Sequence, residues 1–332
     1  MKKYFFRGLL FAIPLILYVL FIVVVDPYEF INVFHVIPAK EKFRVIQRTD
    51  ESSPRGNILW KAIHFKRNPV PNIIIGDSQG KDIDVALIDS ITGDKYYNLC
   101  APGSSYETMF DMFWFAAEQI KLEKVYFQVA FMNYNANRQY NLFYFATDYF
   151  KRPYEYFTTR DIFFDAAANV AWAVGRHPYI VERSYEYLGP QAMENLARSR
   201  LNLFFEKYVY PESYKAEFMR IKSYCEENKI QLYFVVMPVY KGVDNYLKEK
   251  SMVADKVRFL QDINSYGNTI NLDKLTYLKQ DRDNFIDYFH PTHTIIDAVT
   301  RIIWSDEYIN GHKNSPAATI LQQDQLSDRG SE

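Results

Sequence analysis

A hydroxyl, an imidazole and a carboxylate, the three groups that serine-based acyl transfer uses, stand in this chain in short and readable settings. Ser78 follows Gly76 and Asp77 at the end of Asn72-Ile73-Ile74-Ile75. That β-branched run, introduced by Pro69 and Pro71 and stopped by Gly76, predicts a buried strand ending in a sharp turn that carries Ser78. Ile83, Leu87 and Ile88 recur at helical spacing, which predicts a helix from Asp82 and puts Ser78 between a strand tip and a helix N-terminus. Such a place exposes a hydroxyl beside unpaired backbone N–H groups and the positive end of a helix dipole, the surroundings an oxyanion needs. Near the far end of the chain, Asp287 precedes His290 by three positions and Pro291 follows. A carboxylate at that spacing can accept a bond from Nδ1–H, hold the tautomer and leave Nε2 free to act as general base.

Three further residues could polarise a carbonyl. Gly103, in Asn98-Leu99-Cys100-Ala101-Pro102-Gly103, has no side chain to keep a backbone N–H from a substrate oxygen. Asn133 and Asn135 each offer an amide donor. The plainer readings are equally simple: the glycine relieves a tight turn and the asparagines cap loops. His177 and His293 compete with His290, but neither has an acid three residues upstream.

The elements that must position these groups alternate. A strand to Ile75 is followed by a helix from Asp82, a strand Tyr96 to Leu99, a helix Tyr106 to Lys121 capped by Ser104 or Ser105, and a strand Lys124 to Phe131. About 80 residues, Met132 to Pro211, then interrupt the pattern; they are rich in Tyr, Phe, Arg and Asn and include a helix-like Asp161 to Val174. It resumes with a helix Glu212 to Asn228, a strand Ile230 to Met237, a helix Tyr246 to Ser265, a strand Thr269 to Leu272 and a last helix Thr294 to Trp304. Alternation of this kind predicts an α/β fold, three layers with a central parallel sheet, and gathers the loops at the strands' carboxyl ends into one crevice. Ser78, Gly103, Asn133 with Asn135, and Asp287 with His290 all fall in such loops.

Composition narrows the alternatives. The net charge is −1 with no basic run, which gives nucleic-acid capture no support. The turn after the first strand lacks G-x-G-x-x-G spacing and no P-loop occurs. Cys100 and Cys225 lie far apart in apolar surroundings, without C-x-x-C or paired histidines, so we expect no metal or other cofactor and two buried thiols, the alternative being a single disulfide if the domain lies outside the cytoplasm. Gly8 to Val25 is an uncharged apolar stretch preceded by Lys2, Lys3 and Arg7. At 1.5 Å per residue it reaches roughly 27 Å, enough for one membrane crossing with the N-terminus cytoplasmic and the remainder extracytoplasmic, which in a two-membrane cell means periplasmic. The resulting division is 1–28 as anchor, 29–68 as juxtamembrane connector, 69–309 as catalytic domain with an insertion at 132–211, and 310–332 as a disordered tail.

Taken together, the motifs resemble the SGNH (GDSL-type) hydrolase superfamily. Gly76-Asp77-Ser78 looks like its first block, Gly103 like the glycine of its second, Asn133 or Asn135 like the asparagine of its third, and Asp287-x-x-His290-Pro291 like its D-x-x-H-P block. The third block departs: where the superfamily carries Gly-x-Asn-Asp, this chain has Phe131-Met132-Asn133-Tyr134-Asn135. The resemblance implies a flavodoxin-like sheet, Ser78 as nucleophile, His290 as base, Asp287 as orienting acid, and an oxyanion hole from the Ser78 and Gly103 N–H groups with one asparagine. A single span followed by such a domain is similar to membrane-anchored envelope proteins of the alginate O-acetylation and teichoic-acid D-alanyl transfer type. That implies an acylated carbohydrate or cell-envelope polymer as substrate, and a multi-span membrane acyltransferase as partner. The competing reading, from another class, is a catalytically silent scaffold that binds polysaccharide or such an acyltransferase through its aromatic insertion.

Overall fold

The computed structural model describes residues 2–48, 52–177, 180–181 and 190–305, with the side chains of 2–10, 52–53 and 190–193 outside that description. The chain divides into two compact units, residues 1–68 with 141–187 and residues 69–140 with 188–332. The division differs from the one the sequence predicts. The connector and most of the insertion belong to one unit, while residues 188–211 belong with the sheet. Nothing in the local pattern announces this, because what joins residues 1–68 to 141–187 is pairing across more than 100 positions, such as Tyr28 Oη to Asp165 at 2.6 Å and Tyr156 Oη to Asp26 at 2.8 Å.

The larger unit holds five strands, β1 (Asn72–Ile75), β2 (Tyr96–Asn98), β3 (Lys124–Val129), β4 (Gln231–Val236) and β5 (Asn268–Asn271). All pairs are parallel, in the order β2-β1-β3-β4-β5. Ile73, Ile74 and Ile75 are all buried, as they must be in a parallel sheet covered on both faces. Alternate residues sort onto those faces. Ile74, Tyr126, Val235 and Ile270 pack with Ile296, Val299 and Trp304 of the helix His293–Trp304. On the other face Phe127 and Phe234 meet Phe218 of the helix Tyr214–Asn228, and Phe110 of the helix Tyr106–Gln119 meets Phe127 and Phe218. Helices on both sides make three layers, the α/β arrangement the alternation predicts.

The helix boundaries follow local chemistry. Asp84 caps the helix Val85–Thr92 by accepting from Ala86 N, and Gly93, at φ 75°, ends it. Ser105 rather than Ser104 caps Tyr106–Gln119. The helix predicted from Tyr246 to Ser265 is two, Lys241–Glu249 and Val253–Tyr266. Ser251, at φ 58°, breaks it, with Ser251 N donating to Lys248 O and Met252 N returning to Leu247 O at 2.8 Å, a left-handed helix end that lets Met252 tuck inward.

Where the loops after β4 and β5 leave the sheet, four charges close a ring. Lys256 Nζ lies 2.7 Å from Asp244 and 2.5 Å from Asp273, and Lys279 Nζ lies 2.5 Å from Asp244 and 2.7 Å from Asp273. Asp273 also accepts from Val239 N at 3.2 Å, tying the two loops together.

In the smaller unit, the helix Lys2–Val25 contains the stretch read as a membrane span. Its end is buried at Ile22 and Val25, and Tyr18 stacks on Phe163 of the helix Arg160–Gly175. Phe11, Leu15, Leu17 and Leu20 are exposed. Among the described residues no helix is long and apolar enough to cross a membrane, the side chains of residues 2–10 lying outside them. Beyond Val25 the buried Asp26 carboxylate accepts the N–H groups of Phe30, Ile31 and Asn32, closing the turn that leaves the helix. The tail predicted at 310–332 lies outside the described residues.

The four-charge ring gives a first prediction. Breaking a buried ion network leaves an uncompensated charge, so Asp273→Asn should lower the unfolding free energy by about 3–5 kcal/mol, read by urea denaturation of the purified chain.

Candidate active site

Ser78 sits in the turn after β1, half-buried, where the sequence puts it. The turn is shaped by what passes beneath it. A Cβ on Gly76 would fall 2.4 Å from Gln128 Oε1, 2.7 Å from Gln128 Cβ and 3.0 Å from Cys100 Sγ, so the glycine is there for close approach. Gln128, inside β3, uses that space to accept from Asp77 N at 2.8 Å. The Asp77 carboxylate turns inward, accepting from Gln79 N at 2.8 Å and from Asn133 Nδ2 at 2.5 Å. Burial holds this carboxyl above its ordinary range, with those hydrogen bonds pulling the other way. Beyond Gly80 the chain is pinned to the β2 end by Asn98, whose Nδ2 donates to Gly80 O at 2.9 Å and Ile83 O at 3.0 Å. The next helix begins only at Val85, so Ser78 lies in the turn ahead of it rather than at its N-terminus. The early start read at Asp82 mistakes turn residues for a first helical turn; Asp84 is the cap.

The imidazole reaches Ser78 from the loop after β5. His290 Nε2 lies 2.8 Å from Ser78 Oγ, and His290 Nδ1 lies 2.8 and 2.9 Å from the two oxygens of Asp287. Asp287 Oδ1 also accepts the backbone N–H groups of Phe289 (2.8 Å) and His290 (2.9 Å), so one carboxylate orders both the loop and the ring it presents. Burial would raise the Asp287 carboxyl, but the His290 hydrogen bond and charge, with the two backbone donors, bring it down to about 2. A further donor was not legible in the sequence: Arg200, on the helix Pro190–Phe205, lies 2.5 Å from Asp287 Oδ2. It sits on an element with no motif and no fixed spacing from the carboxylate, so no sequence signal could have found it.

The predicted oxyanion donors separate. Asn133, in the short turn Phe131–Asn133, stands at the Ser78 turn through its bond to Asp77. Asn135 does not. It is buried, with Nδ2 donating to Phe204 O at 2.9 Å and Oδ1 accepting from Asn137 N and Val209 N, so its side chain ties loops together, the plainer of its two readings. Gly103 adopts φ 70° in a turn closed by Ser104 N to Ala101 O, with Pro102 ahead of it, the arrangement of a type II turn. Ala101 N donates to Gly76 O at 3.1 Å, docking this loop beside the Ser78 turn, and Gly103 O accepts from Tyr140 Oη at 2.7 Å. His293 opens the last helix, exposed, and His177 belongs to the other unit. Cys100 and Cys225 are both buried and neither is in a disulfide, the Cys225 thiol being pushed up to about 12 by burial. Among the described residues no group of three or more His, Cys, Asp or Glu side chains is placed to hold a metal ion.

No family model matches the chain, and no curated protein matches it. Among solved structures, one from Streptococcus pneumonia named for platelet activating factor is similar at a TM-score of 0.39 and 11% identity, over 75% of this chain and 91% of that one. A likeness at that level adds nothing to what the geometry gives.

The lowered Asp287 carboxyl has a signed consequence. Because its folded value lies below the unfolded one, its contribution is complete above about pH 4 and is lost as pH falls towards 2; the shift from 3.8 to about 2 corresponds to about 2 kcal/mol. Acid titration of stability should therefore steepen below pH 4 in the native chain, and Asp287→Asn should flatten it by that amount.

Proposed function

We propose that the chain is a serine-dependent acyl-transfer enzyme, an esterase or O-acyltransferase, with Ser78 as nucleophile, His290 as base and Asp287 as orienting acid. The observation that carries this reading is the unbroken series from Asp287 through His290 to Ser78 Oγ, each link at 2.8 Å. His290 Nε2 accepts the Ser78 proton as Oγ attacks the ester carbonyl, and the electron pair of the C=O bond moves onto its oxygen. That oxyanion is met by the backbone N–H groups of Ser78 and Gly103 and by the second N–H of Asn133 Nδ2, the first being held by Asp77. The intermediate collapses, His290 returns the proton to the departing alkoxide, and an acyl group remains on Ser78. An acceptor hydroxyl then gives its proton to His290, attacks the acyl carbon and displaces Ser78 Oγ, which recovers the proton. With a sugar hydroxyl as acceptor the outcome is transfer, with water hydrolysis.

The resemblance of the four motifs to the SGNH superfamily, together with the sheet order β2-β1-β3-β4-β5, which is that of flavodoxin-like folds, supports this assignment. We further propose a membrane-anchored, extracytoplasmic enzyme acting on acetyl esters of cell-envelope or exported polysaccharide beside a multi-span membrane acyltransferase. The exposed apolar side chains of Phe11, Leu15, Leu17 and Leu20 on the first helix support an anchor.

The test is turnover of a chromogenic acetyl ester by the detergent-solubilised chain. Ser78→Ala and His290→Ala should each lower kcat by on the order of 10³-fold or more, as loss of a member of such a unit does. Equal rates in the native and Ser78→Ala chains would instead favour the silent scaffold.

A further inference from the structure

Two buried glutamines remain outside the mechanism just described. Gln79 and Gln128 are 2% and 1% exposed. Their amides form a directional series. Asp77 N–H donates to Gln128 Oε1 at 2.8 Å, Gln128 Nε2 donates to Gln79 Oε1 at 3.1 Å, and Gln79 Nε2 donates to Phe289 O at 2.8 Å. The polarity is forced from both ends. A backbone N–H can only donate and a backbone carbonyl can only accept, so neither amide can be turned over without setting like atoms against each other. The series begins on the residue before Ser78 and ends on the residue before His290.

We propose that Gln79, held by Gln128, is a positioning residue that sets the separation between Ser78 and His290; the proposal rests on the reading of those two as nucleophile and base. The Phe289 backbone is gripped on both sides of its Cα. Its N–H is held by Asp287 Oδ1 and its C=O by Gln79 Nε2. Asp287, with the Ile286 N to His290 O bond at 2.8 Å, orders the His290 loop only within itself, because acid and base lie three positions apart on one segment. Gln79 supplies a direct side-chain tie from the segment bearing Ser78 to the segment bearing His290, across 210 positions. Gln128 anchors this tie to β3, the middle strand of the sheet, so both loops are referred to one rigid element. The surroundings make the tie strong. Gln79 and Phe289 share the walls of a small, mostly apolar cavity with Val129, Ala130, Val236 and Met237, and both glutamines are buried, so an amide left unpaired there is costly. Gly76 belongs to the same device, since a side chain there would displace Gln128.

The experiment compares the native chain, Gln79→Met and Gln128→Met in detergent by two readouts. One is kcat and KM for the acetyl ester; the other is the ring ¹⁵N and Nδ1–H resonances of His290, assigned by the His290→Ala spectrum. Methionine keeps the approximate length and removes the donor. Loss of a positioning contact costs orientation, so kcat for Gln79→Met should fall by roughly 10- to 100-fold with KM changed less than about twofold, and the His290 resonances should move. Gln128→Met should act in the same direction and stands in if Gln79→Met does not fold. A folded Gln79→Met with native kcat and unmoved His290 resonances would overturn the proposal. If the native chain turns over no ester, the nucleophile reading fails, and the His290 resonances alone still decide whether Gln79 positions the ring.

Discussion

Ser78 and His290 are 212 positions apart in the chain, and the site exists only if a bond of 2.8 Å between them is held to a few tenths of an ångström. A parallel sheet is suited to this because every strand delivers its loop to the same edge. The right-handed crossovers fix which loops become neighbours. In this chain β1 carries the hydroxyl and β5 leads to the imidazole, and three other strands contribute supports. Gln128 comes from β3, Asn98 from the end of β2, and the loop after β4 is tied to Asp273 beyond β5. The sheet is thus the common reference frame, and the buried polar contacts transfer its rigidity to the loops.

Those contacts are costly to bury and worthwhile only when complete. Asp77, Gln79, Gln128 and Asn133 are all nearly inaccessible, yet each has partners: backbone N–H groups, a carbonyl and one another. Asp287 is held ionised by the same principle, with two backbone donors, His290 and Arg200 around one carboxylate. Arg200 donates to Oδ2, which His290 Nδ1 also reaches at 2.9 Å, while Oδ1 takes the two backbone N–H groups and lies 2.8 Å from Nδ1.

The alternating pattern made the strands and most helices readable from the sequence, because burial on both faces of a parallel sheet demands short apolar runs such as Ile73-Ile74-Ile75. The Asp287-x-x-His290 spacing was readable because it is local. What was not readable is whatever depends on long-range pairing. Asn133 and Asn135 are two positions apart and chemically identical, and only the fold shows one meeting Asp77 while the other caps a loop near Phe204. Gln79 and Gln128 look like ordinary polar residues in the chain, and Arg200 lies in a segment without a motif. The break at Ser251 was hidden because a serine in the left-handed region carries no signature comparable to glycine. The two-unit division was hidden for the same reason as the asparagines: the Asp26–Tyr156 and Tyr28–Asp165 bonds join segments separated by more than 100 positions.

Whether Ser78 is a nucleophile activated by His290 is decided by covalent trapping. The purified chain would be treated with a serine-directed fluorophosphonate, digested, and the modified peptide read by mass spectrometry. Stoichiometric modification at Ser78 is expected, abolished in Ser78→Ala and strongly slowed in His290→Ala. Labelling at another residue, or none at Ser78 under conditions where the fold is intact, would contradict it.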